Sequence, residues 1–300
     1  MRVLVAVAAV ALVPATLGGS STPAPPKLVL TVRTGQAPCG LATRAGSLWI
    51  GVYGAGTLLR VGANGRVEAR VRIGRSACRV AVGSAAAWVT RDQAAELVRV
   101  SLGSGRVQRV NVGPQPFDVL LAAGFAWVTS WEDGTVSKID PERGKAIATV
   151  RVGPYATGLA WCGRRVWIGH GRSATRITSL DPKTLRLSQV ELGATPEWPH
   201  CIRGALWVTT PDTVIRLDAR TGRELSRLRI DETLADAAMA TDGLVWVTDK
   251  EHSLVRRVTP DGRAVVDSVV AGPGAFAIAR LGDAMWVTSF AGSDVRRFDP

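Results

Sequence analysis

The side chains of this 300-residue chain best suited to hold or transform a ligand are Tyr53, Arg91, Phe117, Trp131, Tyr155, His170, Glu197, Trp198, Asp236, Asp249 and Phe290. Aromatic faces take up sugars, peptides and small amphipathic molecules, while a few carboxylates or an arginine fix orientation. Glu, Asp and His are also the residue types that accept a proton in general-base catalysis. The spacing matters more than the types. Each of these residues stands three or four positions after, or around ten positions before, one of seven regularly spaced tryptophans. The sequence contains no Gly-x-Ser-x-Gly elbow, no His-Glu-x-x-His and no Gly-x-x-x-x-Gly-Lys-Ser/Thr phosphate loop. Its three histidines, His170, His200 and His252, occupy different positions relative to the tryptophans, so they form no repeated constellation.

The tryptophans head near-identical tripeptides: Trp49-Ile50-Gly51, Trp88-Val89-Thr90, Trp127-Val128-Thr129, Trp167-Ile168-Gly169, Trp207-Val208-Thr209, Trp246-Val247-Thr248 and Trp286-Val287-Thr288. A period of about 40 residues is the signature of a repeat architecture. Within the third unit, Phe117 to Leu121, Ala126 to Ser130, Thr135 to Ile139 and Ala148 to Val152 are short apolar runs separated by Gly, Asp and Pro. That pattern predicts a four-stranded antiparallel meander. No segment has a helical period, so the chain is expected to be all β.

A four-stranded unit cannot cover both faces of its own sheet, and radial stacking of seven such units gives a seven-bladed β-propeller. The chain stops at Phe298-Asp299-Pro300, where every other unit turns into its fourth strand, and a spare strand stands at the other end, Lys27 to Val32. The N-terminal strand is therefore expected to close the last blade. The seven blade tryptophans read as wedges between blades. Loops entering each first strand and leaving each second strand share one end of the ring, so the residues named above are expected to surround one mouth of the central channel.

Cys39 and Cys78 are one repeat apart, as are Cys162 and Cys201. Equivalent positions of adjacent blades meet only near the axis, where first strands run, so these pairs are expected to form two disulfides if the Cα atoms approach within about 7 Å.

The Trp-Val-Thr repeats, with Ile139-Asp140-Pro141-Glu142-Arg143-Gly144-Lys145 and the following Ala148-Thr149-Val150-Arg151-Val152-Gly153-Pro154, resemble the YVTN-type propellers and the virginiamycin B lyase (streptogramin lyase) family. The resemblance spans Lys27 to Pro300. It implies a seven-bladed propeller and, for the lyase family, C–O elimination on a cyclic depsipeptide with Mg²⁺ and a general-base histidine. That histidine stands about ten residues before a blade aromatic in a Pro-His-x-Ile setting. The matching positions here are Cys39, Cys78, Phe117, Thr157, Glu197, Asp236 and Phe276. None is histidine. Under this resemblance Glu197, Asp236 or His170 would serve as base and Asp249 would help hold the metal. Pro199-His200 looks like the motif but stands seven residues before Trp207, inside the expected strand.

Residues 1–19 have the charged start, apolar run and small-residue end of a secretory signal, with an apolar run too short for a membrane span; an uncleaved N-terminal anchor is the alternative, since no clean Ala-x-Ala site is present. Residues 20–26 read as a Pro/Ser-rich spacer, and 27–300 as the propeller. The formal charge of +12 includes ten Arg between Arg60 and Arg109, facing only Glu68, Asp92 and Glu96. Export argues against nucleic acid and for an anionic envelope polymer or a merely solvated face. The sequence thus predicts a secreted, monomeric propeller binding a small molecule, glycan or protein at its channel mouth. A lyase and a structural interaction scaffold are the alternatives.

Overall fold

The computed structural model describes residues 24–230 and 234–300; the signal-type segment 1–19 and residues 20–23 of the spacer lie outside the described residues. The described chain forms 28 strands, β1 (Lys27–Arg33) to β28 (Asp294–Asp299), numbered in chain order. They make seven four-stranded antiparallel sheets. Six are simple meanders, as in β10 (Pro116–Ala122), β11 (Phe125–Ser130), β12 (Thr135–Asp140) and β13 (Lys145–Arg151). The seventh runs β1, β28, β27 (Ala284–Ser289), β26 (Ala275–Leu281), with Lys27 opposite Asp299 and Arg33 opposite Asp294. The expected closure by the N-terminal strand is thereby met. No helix among the described residues is long and apolar enough to cross a membrane.

The first strands form the inner ring. These are β2 (Pro38–Arg44), β6 (Ala77–Val82), β10, β14 (Ala156–Cys162), β18 (Trp198–Ile202), β22 (Leu234–Met239) and β26, and each contacts its neighbours round to β26 beside β2. The blade tryptophans are buried, from 0% to 8% exposed, and each belongs to a cluster with the following blade. Trp127 packs with Val166 and Ile168, and Trp286 with Leu48 and Ile50 across the closure. A buried indole removes roughly 150–250 Å² from water, on the order of 4–6 kcal/mol before entropy losses. These seven side chains are scaffold.

Threonine in Trp-Val-Thr has its own task. In six blades the first strand opens with a β-bulge, two residues facing one on the second strand. In blade three the Asp118 N–H in that bulge donates to Thr129 Oγ1 at 2.9 Å, and Thr129 Oγ1 donates across to the Thr157 carbonyl of blade four at 2.7 Å. Thr248 repeats this with Asp236 N–H and the Phe276 carbonyl, and Thr288 with Ala277 N–H and the Cys39 carbonyl. Thr209 reaches the Ala235 carbonyl.

Both expected disulfides are present, with Cα–Cα distances of 4.9 Å for Cys39–Cys78 and 5.3 Å for Cys162–Cys201. Both join first strands of adjacent blades, as the near-axis argument required.

Candidate ligand site at the channel mouth

In each blade the loop leaving the second strand lies against the loop entering the first. Tyr53 N–H donates to the Ala37 carbonyl, Trp131 N–H to Gln115, Gly171 N–H to Tyr155 and Phe290 N–H to Gly274. These paired loops rim one end of the channel. Across it runs an unbroken row of seven rings drawn from five blades. Tyr155 meets Trp131 at 5.2 Å, Trp131 stacks on Phe117 at 5.3 Å, and Phe117 stacks on Trp198 at 5.2 Å. Trp198 then meets Phe276 at 6.0 Å, Phe276 meets Phe290 at 6.1 Å, and Phe290 meets Tyr53 at 6.2 Å. All these separations lie within the range of attractive ring pairs. Beside the row, Asp92, Gln93, Gln115, Phe117, Trp131 and Glu132 line a cavity of about 590 Å³.

Cations sit on the rings. Arg172 lies 4.2 Å from the Tyr155 ring and donates to its hydroxyl at 3.0 Å. Lys250 stands about 5.5 Å from both Phe276 and Phe290. Arg79, nine-tenths buried, lies 4.0 Å from Trp198 and 5.2 Å from Phe276. A desolvated cation over a ring face contributes about 2 kcal/mol.

Arg79 ties the rings to a polar group inside the channel. Its Nη1 is 3.5 Å from Asp236, its Nε 4.0 Å from Asp118, and His200 Nδ1 is 3.3 Å from Asp236 Oδ1. The carboxylates also hold neighbouring blades: Asp118 accepts from Leu159 N–H at 2.8 Å, and Asp236 from Ile278 N–H at 3.3 Å. Burial pushes the Asp118 carboxyl up, against the pull of Arg79. Burial likewise depresses the His200 imidazole, against Asp236. Arg79 Nε and His200 Nε2 are buried with no hydrogen-bond partner among the described residues. Both residues line a small internal cavity of about 140 Å³ with Asp118, Trp198 and Asp236.

The sequence candidates divide into two groups. Tyr53, Phe117, Trp131, Tyr155, Trp198 and Phe290 come together in the row. Glu197 precedes Trp198 at the position of Phe117 and Phe276, and burial raises its carboxyl. The others turn away. Arg91 points to the outer strands, bonding Glu96 at 2.5 Å and the Arg75 carbonyl at 3.0 Å. His170 is buried, its Nδ1–H donating to the Pro154 carbonyl and its Nε2 meeting Thr178 at 2.8 Å, so its lone pair is engaged. Asp249 is fully buried and taken up by His252 and Arg256. No group of three or more His, Cys, Asp or Glu among the described residues is placed to hold a metal ion. The residues present therefore do not fit the divalent cation that the lyase resemblance implies.

Sequence reading missed Arg79, it set His200 aside as a residue within a strand, where it does stand, and it put Asp236 in the wrong register. Ala238 pairs with Trp246, eight residues on, whereas the other six pairs are seven apart, as in Leu120 with Trp127. Asp236 therefore shares the ring position of Arg79, Asp118 and Trp198, one step deeper than Phe117.

No protein-family model matches the chain, and no curated protein does. Solved structures do. A catalytically inactive histidine-to-alanine variant of Staphylococcus aureus virginiamycin B lyase with quinupristin is 13% identical, with a TM-score of 0.80 over 92% of this chain and 100% of that one. Hydrazine synthase of Kuenenia stuttgartiensis is 13% identical, with a TM-score of 0.79 over 90% and 97%. BamB of Moraxella catarrhalis is 15% identical, with a TM-score of 0.65 over 92% and 98%. At these identities what is shared is the fold, and the chain is a seven-bladed β-propeller similar in architecture to the virginiamycin B lyases.

Proposed function

We propose that this protein works outside the cytoplasm as a binding protein, taking a sugar, peptide or small amphipathic ligand onto the aromatic row at its channel mouth. The row carries the proposal: seven rings at positions that break the repeat converge where the scaffold positions need no aromatic. Glu197 and the ring-bound Arg172 and Lys250 supply polar contacts at its edge. The signal-type start of the sequence and two disulfides support a location outside the reducing cytoplasm. A thermal-shift and calorimetric panel of neutral oligosaccharides and short peptides tests this. Trp131→Ala and Glu197→Ala are expected to weaken any hit about tenfold, a loss of roughly 1.4 kcal/mol. Hits that ignore both variants would place binding elsewhere.

The lyase reading keeps one supporting observation. His200, held by Asp236 through Nδ1, presents Nε2 as a proton acceptor inside the channel. Mass analysis of quinupristin incubated with the protein decides: a ring-opened product lost in His200→Ala supports it, and intact quinupristin removes it.

A further inference from the structure

The end of the propeller opposite the aromatic row has a different chemistry. Between blades three, four and five lies a cavity of about 950 Å³ lined by Lys138, Arg164, Arg165, Lys183 and Arg220, with Phe125 and Trp161 as its flat apolar walls. A second cavity of about 820 Å³ continues from Trp161 to the channel, past His200, Arg203 and Arg280. Asp181 is the sole acid lining either one. Its carboxylate already accepts from Lys183 and Thr184 N–H at 2.9 Å each, which with Arg165 holds it below the usual carboxylate range. The nearby turn acids behave alike: Asp140 and Asp218 are each capped by two backbone amides of their own turns. The cations of this end consequently keep their field for something else.

Blades one and two, where the sequence concentrates Arg, expose Arg66, Arg70, Arg72, Arg75 and Arg106, which make no ion pair and no ring contact among the described residues, while several of their other cations are engaged. Arg60 is paired with Glu68, Arg91 and Arg109 share Glu96, and Arg79 is inside the channel. Arg164, Lys183, Arg203, Arg220 and Arg280 are likewise exposed and make no ion pair among the described residues, but they share their two cavities with an indole, Trp161. Trp161 is half-buried between the two cavities, the one tryptophan that is neither a blade wedge nor part of the mouth row. The Cys162–Cys201 bridge fixes the strand ends beneath it.

We propose that this face is a second binding site, separate from the mouth, for an acidic glycan whose uronate-type rings stack on Trp161 while its carboxylates meet the flanking guanidinium groups. Guanidinium forks match carboxylates in pairs, and an indole face matches a sugar ring rather than a bare phosphate chain. The focused positive field draws a polyanion in and is screened by salt.

The test is a binding titration of the full chain with polygalacturonate, a neutral oligosaccharide and inorganic polyphosphate at rising salt. Polygalacturonate is expected to bind at about 0.15 M salt and to weaken as salt rises. Arg164→Gln with Arg203→Gln should raise its Kd about tenfold, and Trp161→Leu, which keeps apolar packing but removes the ring, about fivefold. Arg72→Gln, on the outer strand of blade one, should change nothing, and Trp161→Leu should leave any polyphosphate binding untouched. Equal melting temperatures certify each variant, and Arg220→Gln substitutes for any that melts early. Absence of polygalacturonate binding, equal loss in Arg72→Gln, or an unaltered Kd in Trp161→Leu overturns the proposal.

Discussion

Thr129 Oγ1 stands 2.7 Å from the carbonyl oxygen of Thr157 in the next blade, and the same hydroxyl accepts from Asp118 N–H in its own. Two blades have glycine at this position, Gly51 and Gly169, where a Cβ would meet the Cys78 and Glu197 carbonyls at 2.1 and 2.3 Å. Those two blades are the ones joined to their successors by disulfides, Cys39–Cys78 and Cys162–Cys201. At six of the seven junctions adjacent inner strands are thus fastened by a hydroxyl bridge or by a covalent one.

Thr129→Val is expected to strand a buried carbonyl and a buried N–H, lowering stability by about 2 kcal/mol. Thr90, whose hydroxyl accepts from Arg79 N–H, makes no such bridge to the next blade among the described residues and serves as comparison. Denaturation midpoints read the difference; equal losses at the two sites would show that the link between blades adds nothing.

Each disulfide closes a loop across a separation of 39 residues, which in the chain-entropy model is worth about 4 kcal/mol. Paired Cys→Ser variants of either bridge should lose about 2–4 kcal/mol. Cys201 is exposed while Cys39 is buried. Graded reduction followed by alkylation should therefore label Cys201 before Cys39, and the reverse order would contradict the exposure seen here.

Arg79→Met removes the cation between Asp118 and Asp236 and leaves buried carboxylates without it. A loss of about 3–5 kcal/mol is expected. Adding Asp118→Asn should recover part of it. A double variant no better than the single one would show that Arg79 acts through its stacking on Trp198 rather than through charge.

The His170 and His200 imidazoles are both held below their ordinary value by burial. The unfolded chain then binds more protons from the depressed values up to about 6.5, so stability falls as pH drops through that window. Glu197, raised by burial, acts with the opposite sign: its contribution is present below the ordinary carboxylate value and lost as pH rises through the raised one. Melting temperature against pH should flatten below about 6.5 in His170→Gln and steepen in Glu197→Gln. Unchanged slopes in both variants would refute these assignments.

The ring of seven blades was legible because one indole per unit must fill the wedge between neighbours, and nothing smaller does so. The cysteine pairing followed from the same register, since only inner strands bring equivalent positions together. The aromatic row was legible as residues that interrupt the repeat. Arg79 was not, because one Arg among ten in a basic stretch has nothing to distinguish it until the bulge turns it inward. Asp236 was displaced by a single extra residue in its hairpin. Arg91 and Asp249 show that the period assigns a loop to an end of the channel, while local ion pairs decide which way its side chain points.

The pairing of β1 with β28 also has a consequence for assembly. The strand that finishes blade seven is the first of the described fold, and the one it joins is the last. Until the two meet, β28 is an open edge with a defined register, Phe298 awaiting Leu28 and Asp294 awaiting Arg33. Another molecule's β1 satisfies that edge with the same hydrogen bonds. Dilute refolding therefore favours a closed ring, and crowded refolding favours two chains that have traded their first strands.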